Sequence, residues 1–379
     1  MKYSRLSLLA LLSAGPLIAL PNMIRLGYPN CMSCHVAPQG GGLLNPYGRG
    51  IDEAQSRRAG EYSPNSLPLL QRLNFNGLFD QDFRAVMSSQ LSSTTNGPTL
   101  GLNRGRFFYR NIATLGKGFR TSVVIDGETE PILRRPKPYE AAPRPGLVSI
   151  SSAMLQYRPK EGIEFGVGRD ALPQGLLIPD QTAFIKSRNR LGYFDVPTQA
   201  KAFLWGRRWL VSPFLFAPSG REPRLGRERG GGLLAELDLA GKGKTVVGLN
   251  ALRGSDQLGN RNLTGIYTRL GFGAWGILAE HDLTRHSRNL AFGGGIFNQQ
   301  ATYGQLFYYW REWLVTSFIT ERLTVQAPFQ ERLWAYKGEV GARMSANWSV
   351  SFRAGMQRDT LSHVYSPVVA IQLSAKTVN

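Results

Sequence analysis

Cysteine and histidine are scarce in this chain of 379 residues, which has only 2 Cys and 4 His. With no second cysteine pair, and with His281, His286 and His363 far along the chain from both cysteines, a four-ligand zinc site lacks donors. Long apolar runs are also missing. Beyond Leu20 no segment reaches about 18 uninterrupted apolar residues, so the sequence contains no helical membrane span. Acidic residues are few: Asp+Glu 26 against Lys+Arg 45, a net charge of +19. That excess attracts anions, lipopolysaccharide or anionic partners. The arginines are scattered rather than gathered in one basic stretch, so no nucleic-acid partner is expected. Hydrophobic residues at 42% exclude a disordered chain, and 43 Gly with 14 Tyr and 7 Trp suit a β protein with many turns.

Both cysteines fall in one pentapeptide, Cys31-Met32-Ser33-Cys34-His35. This is the attachment pattern of a c-type haem: two thiols at that spacing each form a thioether to the porphyrin, and the adjacent imidazole reaches the iron. A thioredoxin-like dithiol needs a strand-to-helix setting, whereas Gly27-Tyr28-Pro29-Asn30 before the motif and the glycines after it read as loop. Cys31 and Cys34 are therefore expected to carry one covalent haem c, with His35 as its proximal iron ligand.

Haem c is attached outside the cytoplasm, and the N-terminus has the character of an export signal. Lys2 and Arg5 precede an apolar stretch, Leu6 to Leu20, which Gly15-Pro16 interrupts and which is too short to span a bilayer. Residues 1–21 are assigned to the signal peptide, 22–65 to the haem segment and 66–379 to a third unit. The haem segment alone is too short for an ordinary cytochrome core, so it needs support from the rest of the chain.

That third unit alternates. From Ser345 to Gln357, Ala346, Trp348, Val350, Phe352, Ala354 and Met356 interleave with polar residues; Lys337, Glu339 and Arg343 interleave with Tyr336, Val340, Ala342 and Met344. Period two means strands with one apolar and one polar face. The same rhythm runs through Leu233–Leu239, Val247–Ala251 and Thr121–Ile125. Tight turns at Gly116-Lys117-Gly118, Pro159-Lys160-Glu161-Gly162 and Gly241-Lys242-Gly243 contrast with long loops at Gly127 to Gly146, Pro173 to Gln199, Ala217 to Arg229 and Arg285 to Gln300.

A soluble β-sandwich alternates as well, but three features favour a membrane barrel. Candidate strands run to about 9 to 12 residues, the length that crosses a bilayer at a tilt. Aromatics gather near strand ends, at Phe307-Tyr308-Tyr309-Trp310 with Trp313 and at Trp205 with Trp209, as an interfacial girdle requires. The polar faces carry Glu, Lys and Arg, which a water-filled lumen can solvate. The expected fold is all-β: an outer-membrane antiparallel β-barrel of about 16 strands, at roughly 20 residues per strand and connection, with the small N-terminal c-type haem segment. The short turns would face the periplasm.

A signal peptide, one N-terminal haem pentapeptide and a barrel filling the remaining chain resemble the fused outer-membrane monohaem cytochrome-porins, whose best-known members are iron oxidases. The specific resemblance covers residues 31 to 51: after the pentapeptide come Pro38, Leu44-Asn45 and Tyr47-Gly48-Arg49. It implies a haem held in the barrel that moves electrons between an extracellular donor or acceptor, Fe(II) being one candidate donor, and a periplasmic carrier such as a soluble cytochrome. In that reading the outer-membrane lipid and the two redox partners are the partners of the chain, and an Fe(II) oxidase activity is one outcome.

The sixth iron ligand is open. Met23 is the one nearby methionine outside the motif and is the distal candidate. His281 shares its strand register with Trp275, Ile277 and Ala279, which places it toward lipid; His286 and His363 are further candidates. Arg120, Arg343 and Arg353 fall on polar faces, either as solvated lumen residues or as partners of haem propionates, where positive charge would raise the potential. Two rivals stand beside the electron path: a diffusion porin with a haem-bearing plug, and a haem peroxidase, for which Asp52 and Glu53 are the only acids near the motif.

Overall fold

The computed structural model describes residues 79–376 apart from 95–96, 114–119, 129–148, 179, 181–182, 192–195, 220–227, 241–243, 291–292, 329 and 345–347, and describes side chains from Ala153 to Ile371 except Trp348 and Ala370 among them. Its strands are β1 (Phe79–Thr94), β2 (Gly97–Ala113), β3 (Arg120–Glu128), β4 (Ser149–Lys160), β5 (Ile163–Arg169), β6 (Thr198–Trp205), β7 (Trp209–Ala217) and β8 (Arg229–Asp238). The second half supplies β9 (Thr245–Asp256), β10 (Gly259–Phe272), β11 (Trp275–Arg288), β12 (Gly295–Arg311), β13 (Leu314–Val325), β14 (Glu331–Arg343), β15 (Trp348–Asp359) and β16 (Tyr365–Lys376). They form one 16-stranded sheet, in which every chain neighbour from β3 to β16 is also a sheet neighbour.

The sheet closes on itself. β1 pairs antiparallel with β16, Arg84 opposite Lys376 and Ser92 opposite Val368, and with β2 on its other side. β2 and β3, the two ends of the strand order, lie side by side. Bringing those two end strands together curls the sheet into a barrel, the form in which strands cross lipid. Among the described residues no helix is long and apolar enough to cross a membrane.

The faces are inverted relative to a water-soluble protein. Leu155, Phe165, Leu215, Leu249, Ile266 and Phe318 are exposed, while Glu164, Lys201, Asn250, Glu280, Asp282, Glu321, Lys337 and Glu339 are buried. On β13 burial alternates from Val315 to Val325, with Ser317 and Glu321 on the inner face and Phe318 outside. The outer face is thus predominantly apolar, and the carboxylates lie on the inner face.

Connections alternate in character between the two ends. One end is closed by the turns 161–162, 206–208, 273–274 and 312–313. The other carries the long connection 170–197, along with the short turns 257–258 and 360–364. The loop expected from Arg285 to Gln300 is much shorter than that: β11 runs on to Arg288 and β12 begins at Gly295, and His286 stands opposite Phe297 in their ladder. Glycines and polar residues suggested a loop there, but the pleat continues through them.

The aromatic run at the end of β12 is divided between faces. Tyr308 and Trp310 face outward and join Trp275 in a chain of rings, with centroids 4.6 Å apart for Trp275–Tyr308 and 4.9 Å for Tyr308–Trp310. Phe307 and Tyr309 face the lumen and are buried, so only half of that run belongs to a girdle. At the loop end Trp334 and Tyr336 stack 6.2 Å apart on the outer face.

Candidate functional site: a loop pinned inside the barrel

The segment that lacks alternation is the one that fills the lumen. Residues 170–197 connect β5 to β6, and Ala171, Leu172, Leu176, Ile178, Ala183, Phe184, Ile185, Leu191 and Val196 in it are all buried. Its one helix, α1 (Phe184–Ser187), is a single turn. Leu176, Ile178, Ala183, Phe184 and Ile185 pack in one cluster with Tyr267, Leu278, Phe297, Tyr303, Ile319 and Leu323 from the inner faces of β10 to β13. A loop with apolar residues on several sides gives no period-two signal, because it is enclosed by wall on more than one side.

Polar contacts hold the loop at three places. At the first, the Leu176 N–H donates to Glu280 Oε2 at 2.7 Å. Gly175 just before it has φ 56, and a Cβ there would overlap the Glu280 carboxylate, so glycine is what permits this approach. Glu280 and Asp282 lie on the same inner face of β11; Asn250 Nδ2 donates to both, at 3.4 and 3.5 Å, and the Lys186 ammonium attracts both. Lys186 is itself buried and donates to the Gln174 carbonyl at 3.1 Å.

At the second place the Phe184 N–H at the start of α1 donates to Glu321 Oε2 at 2.7 Å, and Glu321 also accepts from Lys337 Nζ. Lys337 reaches Asp180 of the loop at 3.3 Å, Arg353 pairs with the same Asp180, and Arg353 Nε donates to Glu339 at 2.7 Å. At the third, Asn189 Nδ2 donates to Asp282 Oδ2 at 2.6 Å, while Asn189 Oδ1 accepts from Gln299 at 2.7 Å and from Thr284 at 3.2 Å. The Arg261 guanidinium donates to the Asn189 carbonyl and holds Glu228 in a bidentate pair at 2.6 and 2.9 Å.

Buried ion pairs of this kind add little net stability relative to apolar packing. Removing one partner, however, costs about 3–5 kcal/mol, because the other charge is left buried and alone. The network therefore fixes where the loop sits. Chemically it is a fixed array of charges on one wall of a lumen.

Cys31, Cys34, His35 and Met23 lie outside the described residues, as do the signal peptide and the whole of 22–65. His281 is on the outer face as expected, its Nδ1 2.8 Å from Thr302 Oγ1. His286 is on the inner face and stacks on Phe297 with centroids 4.6 Å apart, and His363 sits in an exposed turn with φ 58. Arg353 and Arg343 are inward; Arg353 is bound to Asp180 and Glu339 rather than lining open water. Arg120 begins β3, where side chains are outside the described set. Among the described residues no group of three or more His, Cys, Asp or Glu is arranged to hold a metal ion.

Asp180, Glu280, Asp282 and Glu321 were not singled out in the sequence, and Lys337 was named there only as part of a polar strand face. The available signal was Leu176, Ile178, Phe184 and Ile185 in a segment otherwise read as polar loop.

No protein-family model matches the sequence, and neither does any curated protein. Solved structures do match in fold. OmpT, an outer-membrane protein of Vibrio cholerae, superposes with a TM-score of 0.59 at 9% identity, covering 80% of this chain and 99% of its own. Salmonella typhi OmpF gives 0.60 at 8% identity, over 79% of this chain and 97% of that one. An anion-selective porin from Comamonas acidovorans gives 0.57 at 9%, over 79% and 99%. At such identities the likeness concerns architecture, and the architecture is a porin-type β-barrel.

Proposed function

We propose that this chain forms an outer-membrane channel for small solutes, narrowed by the 170–197 loop. The observation that carries the reading is the loop itself, drawn inside a 16-stranded closed sheet and fixed to one wall by Glu280, Asp282, Glu321 and Lys337. A barrel of that size encloses more space than wall side chains fill, so a pinned loop sets the width and the charge of the passage. Outer-membrane placement is supported by the outward apolar face, the Trp275–Tyr308–Trp310 rings and the outer-membrane origin of the proteins that share the fold. Reconstituted in planar bilayers, the protein is expected to give stable stepwise conductance; an insulating barrel would overturn the reading.

A second reading is favoured by Cys31-Met32-Ser33-Cys34-His35. In it the N-terminal segment carries one haem c, and the chain moves electrons between an extracellular donor or acceptor, Fe(II) included, and a periplasmic carrier. Two thiols three apart and an adjoining imidazole are the donor set such a group requires. Cys31 and Cys34 would hold it covalently and His35 would ligate the iron, with Met23 a candidate for the opposite side. When bound, the group supplies one-electron chemistry. Pyridine haemochrome spectra of the exported protein test the attachment, which Cys31→Ala with Cys34→Ala should abolish. If the attached haem is reduced or oxidised by partners added outside sealed vesicles, the electron path holds. If ions pass while the haem exchanges no electrons, only the channel reading survives.

A further inference from the structure

The outer face of the barrel differs between its two ends in charge. On the loop-side half of their strands, Arg229 of β8, Arg253 of β9, Arg285 of β11, Arg322 of β13, Arg332 of β14 and Arg358 of β15 all occupy outward positions. No carboxylate occupies an outward strand position among the described side chains of β4 to β16. Two of the arginines lie over aromatic rings, Arg322 over Trp334 at 5.0 Å and Arg358 over Tyr365 at 5.1 Å. An arginine is tolerated on the lipid face near the interface far better than at the bilayer midplane, so this belt marks a headgroup level.

Beside Arg229 and Arg253 the outer wall is dented. A groove of about 710 Å³ has Ala200, Ala202, Pro213 and Gly231 as its floor and Leu155, Phe165, Val167 and Leu215 among its rim. The dent has a local cause. Pro213 has no N–H to give the ladder, and the pairing of β6 with β7 skips from Lys201↔Phe214 to Leu204↔Val211. Beside it Leu215 pairs with Gly231, which brings no side chain of its own to the outer face. Gly231 in turn pairs with Arg253, while Arg229 lies two residues along β8 on the same face as Gly231 and pairs with Ser255. Arg229 and Arg253 are thus diagonal neighbours, about 7–8 Å apart at their backbones, and both are exposed.

An apolar trough at membrane depth with two guanidinium groups at its headgroup end matches an amphiphile with a phosphate head. Guanidinium groups bind phosphate oxygens bidentately, and basic side chains at a membrane surface attract anionic headgroups. We propose that the outer wall over β5 to β9 binds a phosphorylated glycolipid of the outer leaflet, with Arg229 and Arg253 on a phosphate and one acyl chain in the groove over Ala200, Ala202, Pro213 and Gly231. The proposal rests on the outer-membrane placement given above.

The test uses the full-length protein expressed in a Gram-negative host and extracted in mild detergent, with native mass spectrometry of retained lipid A. Wild type is expected to hold one lipid A, and R229E/R253E and the groove-filling Ala200→Phe are each expected to weaken retention at least tenfold. Arg332→Glu, on the same belt but away from the groove, should leave retention unchanged. The heat-modified gel mobility of the folded barrel shows that each variant has folded. Equal retention by R229E/R253E overturns the site, as does equal retention of phosphatidylcholine by wild type, which would mean acyl packing alone. If Ala200→Phe instead splits an oligomer and leaves lipid retention intact, the groove is a contact between copies and the proposal fails. Fractionation separates the two levels: absence from the outer membrane overturns the placement, whereas correct placement with unaltered lipid retention overturns only the site.

Discussion

Residues 280 and 281 are adjacent on β11, yet they face different solvents. Glu280 on the inner face accepts the Leu176 N–H, in an environment where Lys186 and Asn250 answer its charge. His281 on the outer face is partly exposed among Trp275, Ile277 and Leu283, and it answers only to Thr302 across the ladder. The inner face of β11 to β14 is specific: Glu280, Asp282, Glu321 and Lys337 each have a named partner on the loop. The outer face is permissive, because lipid asks for apolarity and little else. Substitutions inside should therefore act through a partner, and those outside through depth.

The largest effect is expected at Glu321. Glu321→Ala leaves the Lys337 ammonium without one of its two carboxylate partners and the Phe184 N–H without its acceptor, a loss of about 3–5 kcal/mol. The β ladder around it is untouched, so the cost should appear as release of the loop and not as collapse of the barrel. Single-channel recordings should show a higher and noisier conductance, with the folded gel mobility retained. A conductance indistinguishable from wild type would mean that the loop is held by its apolar cluster alone.

The two faces also differ in how far they could be read from sequence. The outer face is local information: Val247, Leu249 and Ala251 against Asn250 fix both the strand and its sides, and the structure has Leu249 outside and Asn250 buried. The inner face is legible only in part, since the partners of Asp180, Phe184 and Leu176 are separated from them by 157, 137 and 104 positions. No periodicity reports a contact at that separation. Phe307-Tyr308-Tyr309-Trp310 failed for the opposite reason: composition was read for the whole run, whereas the pleat sends alternate rings to opposite sides. The pentapeptide Cys31-Met32-Ser33-Cys34-His35 lies outside the described residues, so its reading as a haem site rests on spacing alone.

On the outer face the expected size depends on depth. Leu249→Arg places a guanidinium at mid-strand and should lower stability by about 2–4 kcal/mol, measured as a shift in denaturant midpoint in lipid vesicles. Arg253 sits four positions along the same face near the rim, and Arg253→Leu should change the midpoint by about 0–1 kcal/mol in the same assay. Equal shifts at the two positions would mean that this face is not graded by a bilayer at all.

Gly175 is a smaller lever on the inner side. Gly175→Ala puts a side chain at φ 56 and pushes its Cβ against the Glu280 carboxylate, which costs about 1–2 kcal/mol for the backbone alone. That is less than breaking a buried pair, so the loop should stay in place but open more often. Proteolysis of residues 170–197 from the loop side should accelerate by roughly tenfold, following the conversion of about 1.4 kcal/mol per decade.

The effect expected at the aromatic rim is also small, and it separates packing from membrane anchoring. Trp275 lies against Tyr308 at 4.6 Å, and Tyr308 against Trp310 at 4.9 Å. Losing one aromatic pair is worth about 0.5–1.5 kcal/mol beyond buried area wherever the rings sit. If the rings only pack against one another, Trp275→Ala should lower the unfolding midpoint equally in detergent and in lipid. If they hold the turn-side rim at the interface, the loss should be greater in lipid, where the ring has a headgroup boundary to occupy. The second outcome is expected, since Trp275 and Trp310 remain exposed on the outer face even while stacked against Tyr308.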